Sequence, residues 1–153
     1  MSPTKQSLLS TTTSFCNALA SQSPPSTISS YFTTTSPSSI YIFEYGLPQL
    51  APFLGRPFQG PSGLSEYFDL LSKHLSYENM RFSNFFADLE SRKVSVRGEA
   101  RFTWLSTGQS WDEIFTYVLE FDHDSKLVKY EVWADSGAAY LASQGLLDEV
   151  KSK

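Results

Sequence analysis

Glu44 is the residue in this sequence best placed to do chemistry, because it is a carboxylate near the end of an apolar strand. The segment Ile40–Tyr45 contains only β-branched and aromatic residues besides Glu44, which predicts a strand. Burying a carboxylate costs free energy unless the group is paired or used. Beside an apolar pocket, desolvation would raise the pKa of Glu44 and make it an effective proton shuttle. An exposed carboxylate, or one paired with Arg56 or a backbone N–H, is the structural alternative.

Two tyrosines near Glu44 in the sequence complete the predicted catalytic set. Tyr31 and Tyr41 carry hydroxyls that can hydrogen-bond a carbonyl oxygen or hold a water molecule. Packing in the core, with the hydroxyl reaching water, is the alternative for each of them. The expectation is that Glu44 and a tyrosine hydroxyl meet inside a closed cavity; a solvent-facing Glu44 would remove most support for an enzyme.

The aromatic content indicates either a lined cavity or an unusually aromatic core. The chain has 12 Phe, 8 Tyr and 3 Trp among 153 residues, which is more bulk than a small core needs. We predict an apolar pocket for a hydrophobic small molecule, and we assign to its wall six substrate-binding residues: Phe43, Tyr45, Tyr67, Phe102, Trp104 and Tyr117.

Charge and cysteine content exclude several classes of protein. The net charge is −4 and no basic cluster is present, which argues against a nucleic-acid partner. A single cysteine, Cys16, excludes an internal disulfide and a cysteine-based metal cage, and no set of histidine ligands replaces it. No metal and no cofactor are therefore predicted. No apolar run is long enough to span a bilayer and no secretory signal is recognisable, so a cytoplasmic protein without a membrane partner is expected.

The order of predicted elements indicates one α+β domain over residues 1–153. The Ser/Thr-rich start carries apolar residues at helical spacing, which predicts a helix over 5–21 and a second one from Pro24 to about Pro37. A Gly/Pro loop over 46–61 leads to a helix capped by Ser62. Period-two patterns then predict strands over 77–87, 94–104, 114–122 and 127–134, with a bulge or bend at Gly98. Asp135 or Ser136 caps a last helix.

Two segments carry a resemblance to a known superfamily. The first is the run Glu44…Gly55-x-Pro57-Phe58-x-Gly60-x-x-Gly63-x-x-x-Tyr67-Phe68, and the second is the final strand Tyr130-Glu131-Val132-Trp133-Ala134-Asp135-Ser136. Together with the order of elements they resemble the SnoaL-like, nuclear transport factor 2-like proteins. This superfamily includes ketosteroid isomerase, scytalone dehydratase, limonene epoxide hydrolase and polyketide cyclases, and the Ser/Thr-rich start is similar to fungal members.

The resemblance implies a cone-shaped α+β barrel, with a strongly bent antiparallel sheet wrapped around helices and an apolar pocket inside. It also implies that Glu44 stands where the superfamily often has an acidic residue, that tyrosines from the early elements bind a carbonyl, and that the protein dimerises through the outer sheet face. At two places this sequence departs from members of the superfamily, so their particular reactions are not assigned to it. His74 and His123 are predicted at a helix end and in a turn rather than in the pocket, and Val132 stands where limonene epoxide hydrolase has an acid.

The predicted function is therefore a cofactor-independent isomerase, cyclase or dehydratase of secondary metabolism that uses acid–base chemistry. A non-catalytic ligand-binding or dimerisation module of the same fold is the alternative. A homodimer is expected because an amphipathic outer sheet face leaves some residues without a role in a monomer: Arg97, Glu99, Arg101, Thr116 and Trp133.

Overall fold

A computed structural model describes residues 2–153 as one six-stranded sheet with helices packed on it. The five α-helices are α1 (Lys5–Ala20), α2 (Pro25–Ser29), α3 (Gly60–His74), α4 (Ser136–Ser143) and α5 (Leu147–Lys151). The six strands are β1 (Tyr41–Tyr45), β2 (Pro57–Gln59), β3 (Leu75–Asp88), β4 (Lys93–Trp104), β5 (Ser110–Phe121) and β6 (Leu127–Trp133). No helix among these residues is both long and apolar enough to cross a lipid bilayer.

The strands lie in the order β2-β1-β6-β5-β4-β3, and the sheet is curved and unclosed. All neighbours are antiparallel except β1 and β6, which run parallel, with Glu44 beside Val132. The predicted α+β cone is confirmed, and this one parallel pair is the difference from the fully antiparallel sheet that was expected.

The Ser/Thr-rich start is helical because its few large apolar residues share one face. Leu8, Phe15 and Leu19 of α1 are buried, and Thr4 begins the helix with a reciprocal capping box to Ser7. The second helix is much shorter than predicted and ends at Ser29. The chain then reaches the start of β6, where Phe32 forms an isolated parallel bridge to Leu127.

Register shifts of the sheet lie in β3 and not at Gly98. The register between β3 and β4 shifts after Glu78 and again after Ser83, where Asn79 and Asn84 each adopt a φ of 57°. The pairing of β4 with β5 runs through Gly98 without a shift, so the predicted bulge there is wrong. A Cβ at Gly98 would lie 2.2 Å from Cε2 of Phe115, so the glycine makes room for that ring.

Two element boundaries differ from prediction in ways that affect the site. Helix α3 begins at Gly60 with Gln59 as its N-cap, rather than at Ser62, because residues 57–59 form a short strand paired with β1. Strand β5 begins at Ser110 rather than at Ile114. This earlier start places Trp111 and Glu113 on the strand, in phase with its buried residues.

Candidate functional site

A cavity of about 760 Å³ lies between the concave face of the sheet and the helices. Glu44, Tyr67, Phe102 and Tyr117 all line it. Three different strands and α3 contribute these side chains, so the curvature of the sheet and the docking of α3 bring them together. The volume falls in the range of small-molecule sites.

Glu44 points into this cavity because of the alternation of side chains along β1. Ile42 and Glu44 face inward, and both are buried. The Tyr67 hydroxyl donates a hydrogen bond of 2.6 Å to Oε1 of Glu44. Burial raises the pKa of Glu44 to about 8; the Tyr67 hydrogen bond acts against this rise, and the charge of Glu113 adds to it. Glu44 is therefore mainly protonated at neutral pH.

Arg56 is not the partner of Glu44. Its guanidinium lies 3.7 Å from Glu66 and 4.1 Å from the ring centre of Phe58, and its Nε donates to the carbonyl oxygen of Pro52. The structural alternative of a Glu44–Arg56 pair is wrong, and so is that of an exposed carboxylate.

The same alternation removes three predicted site residues from the cavity. Tyr41, Phe43 and Tyr45 occupy the positions of β1 that face the outer side of the sheet. Tyr45 stacks on Trp133 and donates to Glu131, and the ring of Tyr41 lies under the ammonium of Lys129. The assignment of Tyr41 as catalytic, and of Phe43 and Tyr45 as substrate-binding, is corrected. Side chains alternate along a strand, and each of these residues is an odd number of positions from Glu44, so each faces the side opposite to Glu44.

Tyr31 and Trp104 also lie away from the cavity. Tyr31 is half-buried after α2, with its ring edge-on to Phe15 at 6.2 Å. Trp104 is buried at the end of β4, where it stacks on His74 and contacts Phe53. Neither is among the residues that line the cavity, so both are corrected to packing residues.

The structure adds a second carboxylate, Glu113, which the sequence reasoning missed. Glu113 is buried in the cavity wall, and the indole N–H of Trp111 donates a hydrogen bond of 2.8 Å to its Oε1. Burial raises its pKa to about 7 and the charge of Asp135 adds to this rise, while the Trp111 hydrogen bond and the backbone N–H of Asp135 act in the opposite direction. The signal was available, since Glu113 is in phase with Trp111, Phe115 and Tyr117, but the predicted strand begins at Ile114, four residues after the observed start at Ser110.

The rest of the cavity lining is aromatic and aliphatic, with polar groups at the mouth. Tyr117 and Tyr130 are buried side by side, with ring centres 4.9 Å apart, and burial raises the pKa of both hydroxyls well above the usual range. Asp135 caps α4 by accepting from the N–H of Ala138, and it lies at the cavity mouth. Within residues 2–153 no cluster of three or more His, Cys, Asp or Glu side chains could hold a metal ion.

Comparison with known proteins identifies the fold but no close relative. No model of a protein family matches the sequence, and no curated protein is significantly similar to it. Among solved structures, a nuclear transport factor 2-like protein of unknown function from Burkholderia pseudomallei superposes with a TM-score of 0.75 at 14% identity, covering 89% of this chain and 96% of that one.

Two further neighbours have an activity in their names. A candidate isomerase from Bacillus subtilis superposes with a TM-score of 0.72 at 12% identity, covering 92% of this chain and 94% of the other. A candidate SnoaL-like polyketide cyclase from Jannaschia has a TM-score of 0.72 at 12% identity and covers 93% and 94%. The protein therefore has the nuclear transport factor 2-like fold, with a cavity that holds two carboxyl groups of different environment.

Proposed function

We propose that this protein is an isomerase, cyclase or dehydratase in which Glu44 and Glu113 share the acid–base chemistry on a hydrophobic ligand. The observation that carries this proposal is the pair itself: two buried carboxyl groups in the wall of one apolar cavity, each with a raised pKa and each held by one aromatic hydrogen-bond donor. Such pairs are typical of sites where one group supplies a proton and the other removes one.

The environments of the two groups assign their roles. Glu44 has the higher pKa, about 8, and accepts its hydrogen bond on Oε1, so a proton on Oε2 can be donated to a carbonyl oxygen of the ligand. Glu113 has a pKa of about 7 and is stabilised as an anion by the Trp111 indole, so it is the base. Glu113 removes a proton from the carbon next to that carbonyl while Glu44 protonates the oxygen, which produces an enol.

The next step of this enol determines which class of reaction results. Return of the proton to a different carbon gives an isomer, and departure of a hydroxyl group beyond the enol as water gives a dehydration. Attack by the enol carbon on a second carbonyl gives ring closure. The neighbours with candidate isomerase and polyketide cyclase activity support this range of reactions without selecting one.

Deuterium exchange on a simple ketone tests the proposal without knowledge of the natural substrate. 2-Tetralone is a bicyclic ketone small enough for the cavity, and NMR in D₂O follows loss of the protons next to its carbonyl. The protein should accelerate this exchange above buffer, and Glu113→Gln should reduce the acceleration about 10²- to 10⁴-fold. Glu120→Gln is the matched control, because Glu120 lies on the outer face of the same strand.

Glu44→Gln should also lower the exchange by about 10²- to 10⁴-fold while leaving ligand binding and folding intact, because the apolar wall is unchanged. Undiminished exchange in a folded Glu44→Gln protein would end the case for Glu44 as the acid. If the unaltered protein binds 2-tetralone without accelerating exchange, the non-catalytic ligand-binding module becomes the better description. In that description Glu44 is a structural partner of Tyr67.

The biological setting forms part of the same proposal. The resemblance noted from the sequence favours a fungal protein of secondary metabolism that acts in the cytoplasm as a homodimer, with no cofactor. Exposed apolar side chains on the outer sheet face, among them Ile114 and Trp133, favour such a dimer.

A further inference from the structure

The cavity wall contains no cationic side chain. Among residues 2–153, those that line the cavity include no Lys, Arg or His. Arg56 lies beside Glu66, and His74 stacks on Trp104. An anion that enters this cavity would therefore lose its hydration without gaining an opposite charge.

Carboxyl groups are present both deep in the cavity and at its mouth. Glu44, which is mainly protonated at neutral pH, and Glu113 are buried in the wall, and the exposed side chains of Asp69 and Asp135 lie where the cavity meets solvent. The N-terminus of α4 also reaches the mouth and would attract an anion by its partial positive charge. Asp135 already occupies that position, since its carboxylate accepts from the N–H of Ala138.

Aromatic rings and uncharged polar groups make up much of the remaining surface. Phe102 and Trp111 stack at 5.9 Å, and Phe115 and Tyr117 continue the wall, so the cavity is lined by aromatic rings, whose faces carry partial negative charge. The mouth carries hydroxyl and amide groups that can bond the hydroxyls or carbonyls of a neutral molecule: Gln22, Ser23, Ser26, Ser29, Ser65 and Ser72.

We propose that the cavity selects its ligand by charge. It admits a hydrophobic, oxygen-bearing molecule that is uncharged or cationic, and it rejects the carboxylate, sulfate or phosphate of the same skeleton. This inference rests on the proposed function in taking the cavity as the ligand site. One consequence is that a carboxylic acid precursor must be converted to an ester or another uncharged form before it can serve as substrate.

Three naphthalene probes of equal ring size test the proposal by calorimetric titration. They are 2-naphthylmethanol, 2-naphthoate and 2-naphthylmethylammonium, used at about pH 7.5, where the acid is ionised and the amine is protonated. The alcohol and the ammonium ion should bind, and the naphthoate should bind about ten-fold or more weakly than the alcohol. Sodium acetate and ammonium chloride controls measure any contribution of the charged group alone.

The Glu113 carboxylate in the cavity wall contributes to the selection against anions, so removal of this carboxylate should weaken the selection. Glu113→Gln should raise the affinity for naphthoate relative to the alcohol, whereas Glu120→Gln on the outer face should leave the ratio unchanged. The ratio measured on the unaltered protein decides the question if the Glu113 variant does not fold.

The possible outcomes separate this inference from the proposed function. Naphthoate binding as tightly as the alcohol, or more tightly, would overturn the selection by charge while leaving the cavity as a ligand site. Failure of all three probes to bind would remove the ligand site, and the proposed function with it. Acceleration of 2-tetralone exchange together with equal binding of all probes would keep the catalytic proposal and refute only the charge selection.

Discussion

At the scale of single residues, two glutamates with the same chemistry are given different properties by what surrounds them. Glu44 has Tyr67 as its hydrogen-bond donor and is held mainly protonated. Glu113 has the Trp111 indole, with the Asp135 backbone N–H acting in the same direction, and its pKa is nearer to neutrality. Because the two charges also influence each other, their titrations belong to the pair, and the acid and base limbs of a pH profile should lie close together near pH 7 and 8.

The burial of Glu44 predicts that the protein becomes less stable as the pH rises. The pKa is 4.5 in the unfolded reference and about 8 in the folded protein, so between these values the folded state binds more protons. The free energy of unfolding should therefore be highest below the lower value, fall as the pH rises, and level off above about 8, with a loss of up to about 5 kcal/mol. Urea unfolding at a series of pH values measures this.

Glu44→Gln removes the larger share of that pH dependence, and a smaller share should remain from Glu113, because burial also raises the pKa of Glu113, to about 7. Glu131→Gln is a suitable control, because Glu131 lies on the outer face of β6, beside the outward-facing Phe43. A pH dependence that is unchanged in Glu44→Gln would show that Glu44 is ionised in the folded protein at neutral pH, which would also contradict its assignment as the acid.

Trp111 is predicted to act as a positioning residue for Glu113. Trp111→Phe keeps an aromatic ring but removes the N–H that donates to the carboxylate, so the pKa of Glu113 should rise. The acidic limb of the exchange rate against pH should then move to higher pH, while the rate at the plateau changes less. A uniform loss of rate without a moved limb would indicate damage to packing rather than a role in positioning the base.

At the scale of elements, the shape of the cavity depends on how the Phe115 side chain of β5 packs over Gly98 of β4 on the concave face of the sheet. Gly98 has no side chain, and the ring of Phe115 fills the space above it; Phe115 in turn lines the cavity. The bulges in β3 supply the curvature that encloses this space. A change at Gly98 is therefore expected to affect both stability and cavity shape.

Gly98→Ala should destabilise the protein by about 1–3 kcal/mol, because the new Cβ would overlap the Phe115 ring and force it toward the cavity. Chemical denaturation measures the loss, and binding of 2-naphthylmethanol should weaken with it. Gly137→Ala is the control: the nearest atom to a Cβ there is 3.6 Å away, in the first turn of α4, so stability should hold or improve. Equal stability of both variants would show that the sheet adjusts freely at Gly98.

At the scale of the whole molecule, the outer sheet face carries apolar side chains that the monomer leaves open. Ile114 is 59% exposed, Trp133 42% and Tyr45 38%. The charges that had suggested a partner are satisfied within the chain, since Arg81 pairs with Glu99 at 2.9 Å and Arg101 with Asp112 at 3.2 Å. The argument for a dimer therefore rests on the apolar residues rather than on the charged ones.

We expect a two-fold homodimer through this face, with self-complementary contacts. Light scattering at tens of micromolar should give twice the mass of one chain, and Ile114→Glu should give a monomer that still binds 2-naphthylmethanol. Asp112→Glu, on the same strand and face, should remain a dimer. A monomer mass for the unaltered protein would refute the dimer and would leave the proposals about the cavity unaffected.

The sequence by itself determined much of the architecture, because local pattern decides secondary structure. Period-two alternation marked the long strands, helical spacing marked α1 and α3, and a carboxylate in an apolar strand identified Glu44. The α+β cone followed from the order of these elements and from the resemblance of the two segments that contain Glu44 and Val132.

Only the tertiary structure decided which residues share the cavity with Glu44. Alternation says that Tyr41, Phe43 and Tyr45 lie opposite Glu44, but which face becomes concave depends on the bulges in β3 and on the docking of α3. Tyr67 lies 23 residues from Glu44 in sequence, and Glu113 lies farther still, on a strand separated from β1 by β6. The pKa values of Glu44 and Glu113 depend on burial by several elements at once, and no short segment of sequence shows how these elements pack together.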